Sequence, residues 1–127
     1  MRRVHVLLCI CLVAVPAAAD PVSFSRDIVP ILKLRCASCH LTGSEAGRMS
    51  LIPNAAYESL VGIKSNESPL KRVKPGAPEQ SYLVKKLNGQ QVEAGGSGAQ
   101  MPFGTEPLDL ELRARIARWI EEGARNN

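Results

Sequence analysis

Every thiol and imidazole that an exported form of this chain would keep lies within five consecutive residues, Cys36-Ala37-Ser38-Cys39-His40. The chain has 127 residues, 4 cysteines and 2 histidines. The remaining ones, Cys9, Cys11 and His5, fall in a segment that reads as an address rather than as structure. Met1-Arg2-Arg3 is a positive start, Val4 to Val15 is almost wholly apolar, and Ala17-Ala18-Ala19 offers the small residues a signal peptidase reads. The apolar run falls short of the roughly 20 residues that cross a bilayer, so no stable membrane anchor is expected. Residues 1–19 therefore read as a cleavable signal peptide, and 20–127 as one exported, periplasmic domain. Cleavage takes Arg2 and Arg3 with it, and the net charge drops from +4 to about +2. That is too little for a nucleic-acid footprint, and nucleic acid is not expected as a partner.

Two thiols three residues apart reach the same side of a helical turn, and three fates are open to them. A disulfide at that spacing is strained and marks a redox-active site in a βαβ context, which this sequence does not suggest. Zinc would find at most three ligands in Cys36, Cys39 and His40, whereas a structural site takes four. Covalent haem uses all three side chains: the two thiols add to the two vinyl groups, and the adjacent histidine becomes the proximal ligand of the iron. The composition agrees with a guest in the interior. Aromatic residues make up only 4% of the chain, namely Phe24, Tyr57, Tyr82, Phe103 and Trp119. So few large rings build a thin core in a chain of this size.

At these residues the chain resembles the c-type cytochromes of the small single-haem class, and most closely the exported bacterial planctomycete-type cytochrome c domains. The resemblance runs from Phe24-Ser25-Arg26-Asp27-Ile28-Val29-Pro30-Ile31-Leu32, through the haem motif, to Arg118-Trp119-Ile120-Glu121-Glu122-Gly123-Ala124. It implies an all-α, cytochrome c-like fold of four to five helices wrapped around one covalently bound haem c. It also implies a mono-haem electron carrier cycling Fe(III)/Fe(II), with redox proteins as partners and no catalytic activity of its own. No paired carboxylates, nucleophile–base pair or phosphate loop argues for an enzyme. Other readings are a haem-bearing subunit of a larger periplasmic oxidoreductase, an open-site haem sensor or enzyme, and a zinc or thiol-redox module.

The second face of the iron has four candidates: Met49, Met101, a lysine, or no ligand. Met101 sits in Gly95-Gly96-Ser97-Gly98-Ala99-Gln100-Met101-Pro102-Phe103-Gly104, where glycines allow close approach of backbone and Pro102 stiffens the chain. The family carries its distal methionine in such a loop before the last helix, so the resemblance points to Met101. Met49 reads as packing. In the same way, small cytochromes of this kind orient the histidine with a proline carbonyl in a Pro-Asn pair, which here would be Pro53 before Asn54.

The helices are read from caps and spacing. Ser25 is expected to cap a helix running to about Arg35, with Phe24 just outside it. Asn54 could cap a short helix through Leu60, and Pro78 opens one to about Leu87. Asp109 caps the last helix, in which Leu112, Ile116, Trp119 and Ile120 form the apolar stripe and Gly123 is the stop. The first and last helices should pack, Phe24 or Ile28 against Trp119. Basic residues gather at Lys64, Lys71, Arg72, Lys74, Lys85 and Lys86. A solvated face explains such a set, and the sharper alternative is a docking ring for a partner that is acidic at its docking face.

Overall fold

The computed structural model describes residues 20–127, and the expected leader lies outside these residues. Among the described residues the regular structure is helical, and the only β pairing consists of isolated bridges such as Val61 to Val73. No helix there is long and apolar enough to cross a membrane.

The first helix begins as a π-helical turn, Phe24–Ile28, and continues as α1, Val29–Arg35. The change of winding falls where Pro30 demands it. A proline ring collides with the carbonyl four residues back in an ordinary helix and brings no N–H. In the wider turn the Val29 N–H reaches back to Phe24 instead. The cap is Ser23 rather than the expected Ser25. Ser23 Oγ accepts from the Arg26 N–H, and the Asp27 carboxylate accepts from the Ser23 N–H at 2.8 Å. Phe24 is therefore inside the helix, and it is buried. Ser25 instead turns its hydroxyl toward the Asn127 backbone oxygen, 2.8 Å away.

Three short elements follow. α2 spans Ala56–Leu60 and begins after Ala55, with no side-chain cap from Asn54. The segment expected from Pro78 to Leu87 is broken: a 3-10 turn, Pro78–Gln80, leads through Ser81 into α3, Tyr82–Leu87. Ser81 is fully buried, and its side chain binds backbone at both Lys74 and Ala77. Those bonds divert the chain and explain the break. α4, Leu110–Glu121, is capped by Asp109, whose carboxylate accepts from the Leu112 N–H at 2.8 Å. Gly123 ends it at φ +103°, a conformation that suits glycine.

The first helix and α4 pack as the stripe predicts. The Phe24 and Trp119 rings lie 5.1 Å apart, and Tyr57 meets Phe24 edge-on at 5.2 Å. Trp119 Nε1 donates to the Arg125 carbonyl and Tyr57 Oη to the Ala124 carbonyl, so both buried polar tips are satisfied. Ile28, Leu32, Leu60, Leu108, Ile116 and Ile120 complete this core.

Candidate functional site

α1 delivers the five-residue motif at its C-terminal end. The Cys36 N–H still bonds the Leu32 carbonyl, and the His40 N–H bonds the Cys36 carbonyl at 3.0 Å, closing one more turn. That turn places Cys36, Cys39 and His40 on the wall of a cavity of about 360 Å³. This volume falls within the roughly 300–1,000 Å³ range of small-molecule and cofactor sites. Met49, Leu51, Leu60, Leu83, Leu87 and Met101 add apolar lining, and Leu34 and Phe103 stand at the lining while remaining 78% and 74% exposed. Cys36 and Cys39 are free thiols, Cys39 exposed and Cys36 partly buried. Burial pushes the Cys36 thiol up to about 11, with Arg35 pulling the other way. Among the described residues, no three His, Cys, Asp or Glu side chains form a group that could hold a metal ion.

His40 is buried, and its Nδ1 has no hydrogen-bond partner at bonding geometry. Burial holds the imidazole below its ordinary range, and the Ala46 backbone, then the carboxylates of Glu45 and Glu67, act the other way. Pro53, expected to orient the ring, is exposed, and the backbone acting on the imidazole is that of Ala46. The reason is the path of the chain after the motif. Leu51 N–H returns to the His40 carbonyl at 2.7 Å, and the intervening loop folds under the imidazole. Within that loop the Glu45 carboxylate accepts from Thr42 and Gly43. Its pKa falls to about 2, driven by its own backbone N–H and then by the Thr42 and Gly43 groups, with burial opposing.

Met49 belongs to the same side as His40. A Cβ built on Gly47 would lie 3.4 Å from Met49 Cε and 3.6 Å from His40 Cε1. Met101 comes from a separate wall. Its N–H bonds the Lys86 carbonyl of α3 at 3.1 Å, and the Gln100 side chain bonds the Leu87 carbonyl at 2.7 Å. Lys86 Nζ bonds the Ser97 carbonyl at 2.6 Å and pairs with Glu67 at 3.1 Å. Gly96 lies against the Tyr82 ring so closely that any Cβ would collide with the hydroxyl.

The six basic residues do not form a ring on the surface. Arg72 and Lys86 are buried and line the cavity. Arg72 donates to the carbonyls of Ser59, Gly47 and Arg48, and Lys85 pairs with Glu79. A cluster of charge in the sequence gave no sign of these inward contacts, because the carbonyls they meet lie in remote loops.

No family model matches the chain, and no curated protein matches it. Among solved structures it is similar to part of a hydrazine synthase chain from Kuenenia stuttgartiensis, at 26% identity and a TM-score of 0.48. The similarity covers 81% of this chain and 16% of that one.

Proposed function

We propose that this chain carries one covalent haem c in the cavity and serves as an exported single-electron carrier. The observation that carries the reading is that Cys36, Cys39, His40 and Met101, distant in sequence from one another except within the motif, line one largely apolar cavity. His40 also lines that cavity while being buried, as a ligand imidazole would. Cys36 and Cys39 would hold the group by adding their S–H bonds across its two vinyl groups. His40 and Met101 would hold the iron, and Met49 stays on the histidine side as packing. When bound, haem iron supplies reversible uptake and release of one electron.

The protein's own residues do the rest. Leu51, Leu60, Leu83 and Leu87 exclude water from the cavity wall. Met101 supplies a soft neutral sulfur, which favours reduced iron and raises the potential. The Lys86 carbonyl and the Gln100 side chain hold the Met101 loop still, which keeps the rearrangement between oxidation states small. Leu34 and Phe103, exposed beside the cavity, offer redox partner proteins an apolar contact near the group. Lys64, Lys71 and Lys74 remain exposed to meet acidic residues of such a partner.

The deciding experiment is a pyridine haemochrome assay on protein matured in a haem-attaching host. One haem per chain is expected, retained after denaturation and lost in C36A/C39A. Colourless protein with free thiols would end the proposal. In the oxidised holoprotein, M101A should lose the sulfur-to-iron charge-transfer band and M49A should keep it. The reverse result would reassign the ligand.

A further inference from the structure

Two consecutive residues beneath the His40 ring adopt the left-handed conformation, Gly47 at φ +83° and Arg48 at φ +46°. Glycine takes it freely, but arginine does so at a cost, since its Cβ crowds the backbone. Such a conformation persists where its surroundings over-determine it. Here the surroundings are the Arg72 guanidinium, whose Nη2 donates to the Gly47 carbonyl at 2.7 Å and to the Arg48 carbonyl at 3.1 Å. Its Nη1 donates to the Ser59 carbonyl at 2.8 Å.

Arg72 reaches this turn from a fixed base. Its own N–H bonds the Ile63 carbonyl at 2.7 Å, and its carbonyl receives the Leu83 N–H at 2.9 Å. The residue is 9% exposed, and among the described residues no carboxylate pairs with it within ion-pair distance. A buried cation spent wholly on backbone carbonyls is costly unless those carbonyls must be held. The turn it holds is the one beside the imidazole: a Cβ at Gly47 would lie 3.6 Å from His40 Cε1 and 4.0 Å from its Nδ1.

We infer that Arg72 is a positioning residue for His40: it clamps the strained Gly47–Arg48 turn against the imidazole and so fixes the ring's orientation and the hydrogen on Nδ1. The inference rests on the haem reading, in which His40 is the proximal ligand. A ligand imidazole held by a backbone acceptor is a stronger donor to iron and favours the oxidised state. Lysine keeps the charge of arginine but offers a single nitrogen, without the fork that holds the Ser59 carbonyl and the Gly47–Arg48 turn at once. R72K therefore tests the clamp without removing the cation.

The experiment uses the matured holoproteins of the parent chain, R72K and R48G/R72K. Each is first quantified by pyridine haemochrome and by its sulfur-to-iron band, which separates failure of the haem reading from failure of the clamp. The readouts are then the hyperfine-shifted His40 ring-proton resonances of the oxidised protein and the midpoint potential. In R72K the resonances should shift and broaden and the potential should rise. Glycine at position 48 removes the strain the clamp restrains, so R48G/R72K should move both readouts back toward the parent. If R72K does not accumulate, recovery of the double variant with parent-like His40 resonances supports the clamp. A fully haem-loaded R72K with unchanged resonances and potential overturns it. So does loss of both variants, which would make Arg72 a determinant of the whole fold and not of the ring.

Discussion

The two halves of this molecule are filled by different means. On one side, Phe24, Tyr57 and Trp119 stack on one another and close the gap between the first helix and α4 with protein alone. On the other side, the walls supplied by the motif, the 46–51 loop, α3 and the Met101 loop stand around a cavity of about 360 Å³. Three of the five aromatic residues serve the first half. In the second, Tyr82 lines the cavity wall and Phe103 lies 74% exposed at its edge. The contrast teaches that the thin aromatic inventory is concentrated rather than spread. One half is closed by protein alone, and the other leaves the space that the proposed haem would fill.

On the proposed reading, the largest expected effect comes from denying the second half its haem. The cavity wall is mostly apolar and opens to solvent, so without an occupant that surface stays wet. C36A/C39A should therefore lose cooperative thermal unfolding as followed by circular dichroism. A sharp transition within a few degrees of the holoprotein would show that both halves stand unaided. Next comes the packed half: Trp119→Ala removes a fully buried ring and should cost about 4 kcal/mol in denaturant unfolding. In the fraction still folded, the sulfur-to-iron band should survive, because Trp119 does not line the cavity.

A smaller change should strike the cavity half selectively. Gly96→Ala drives a methyl group into the Tyr82 hydroxyl and should cost about 1–3 kcal/mol. Because Gly96 belongs to the loop that carries Met101, the sulfur-to-iron band should weaken here while the Trp119 fluorescence stays native. Equal disturbance of both signals would mean that the halves are not separable.

The smallest effect concerns acid. The Val22 N–H and then Arg118 hold the Glu122 carboxyl below the ordinary glutamate range, and Arg26 and then the Ser23 N–H do the same for Asp27. Both pKa values are depressed in the folded chain, so both groups stabilise it above the ordinary carboxylate range. That contribution disappears as pH falls through the depressed values. Thermal midpoints should be flat above about pH 5 and fall below about pH 4, and E122Q should show a shallower fall. An E122Q profile parallel to the parent would remove Glu122 from the acid response.

Local features of the chain were readable in advance. Leu112, Ile116, Trp119 and Ile120 recur at helical spacing, and Asp109 and Gly123 bracket them, so α4 and its contact with Phe24 follow from the sequence. The motif residues and Met101 were named from the sequence, and the fold brings them around one cavity. What escaped notice depends on remote partners. Ser23, not Ser25, caps the helix, and the hydroxyls of both reach the backbone oxygen of Asn127, a partner remote in sequence. The Ala46 backbone acts on His40 because a loop returns through Leu51. Arg72 and Lys86 turn inward because unpaired carbonyls in distant loops await them. No periodicity records such pairings.

The contacts that Asn127 makes with Ser25 and Phe24 also bear on the order of events during biogenesis. Phe24 N–H bonds Asn127 Oδ1 across 103 positions, and Ser25 N–H bonds the Asn127 backbone oxygen across 102. Contacts between residues so far apart in sequence form late in folding. If haem is attached as proposed, Cys36 and Cys39 would be open to that chemistry before this clasp closes over the first helix.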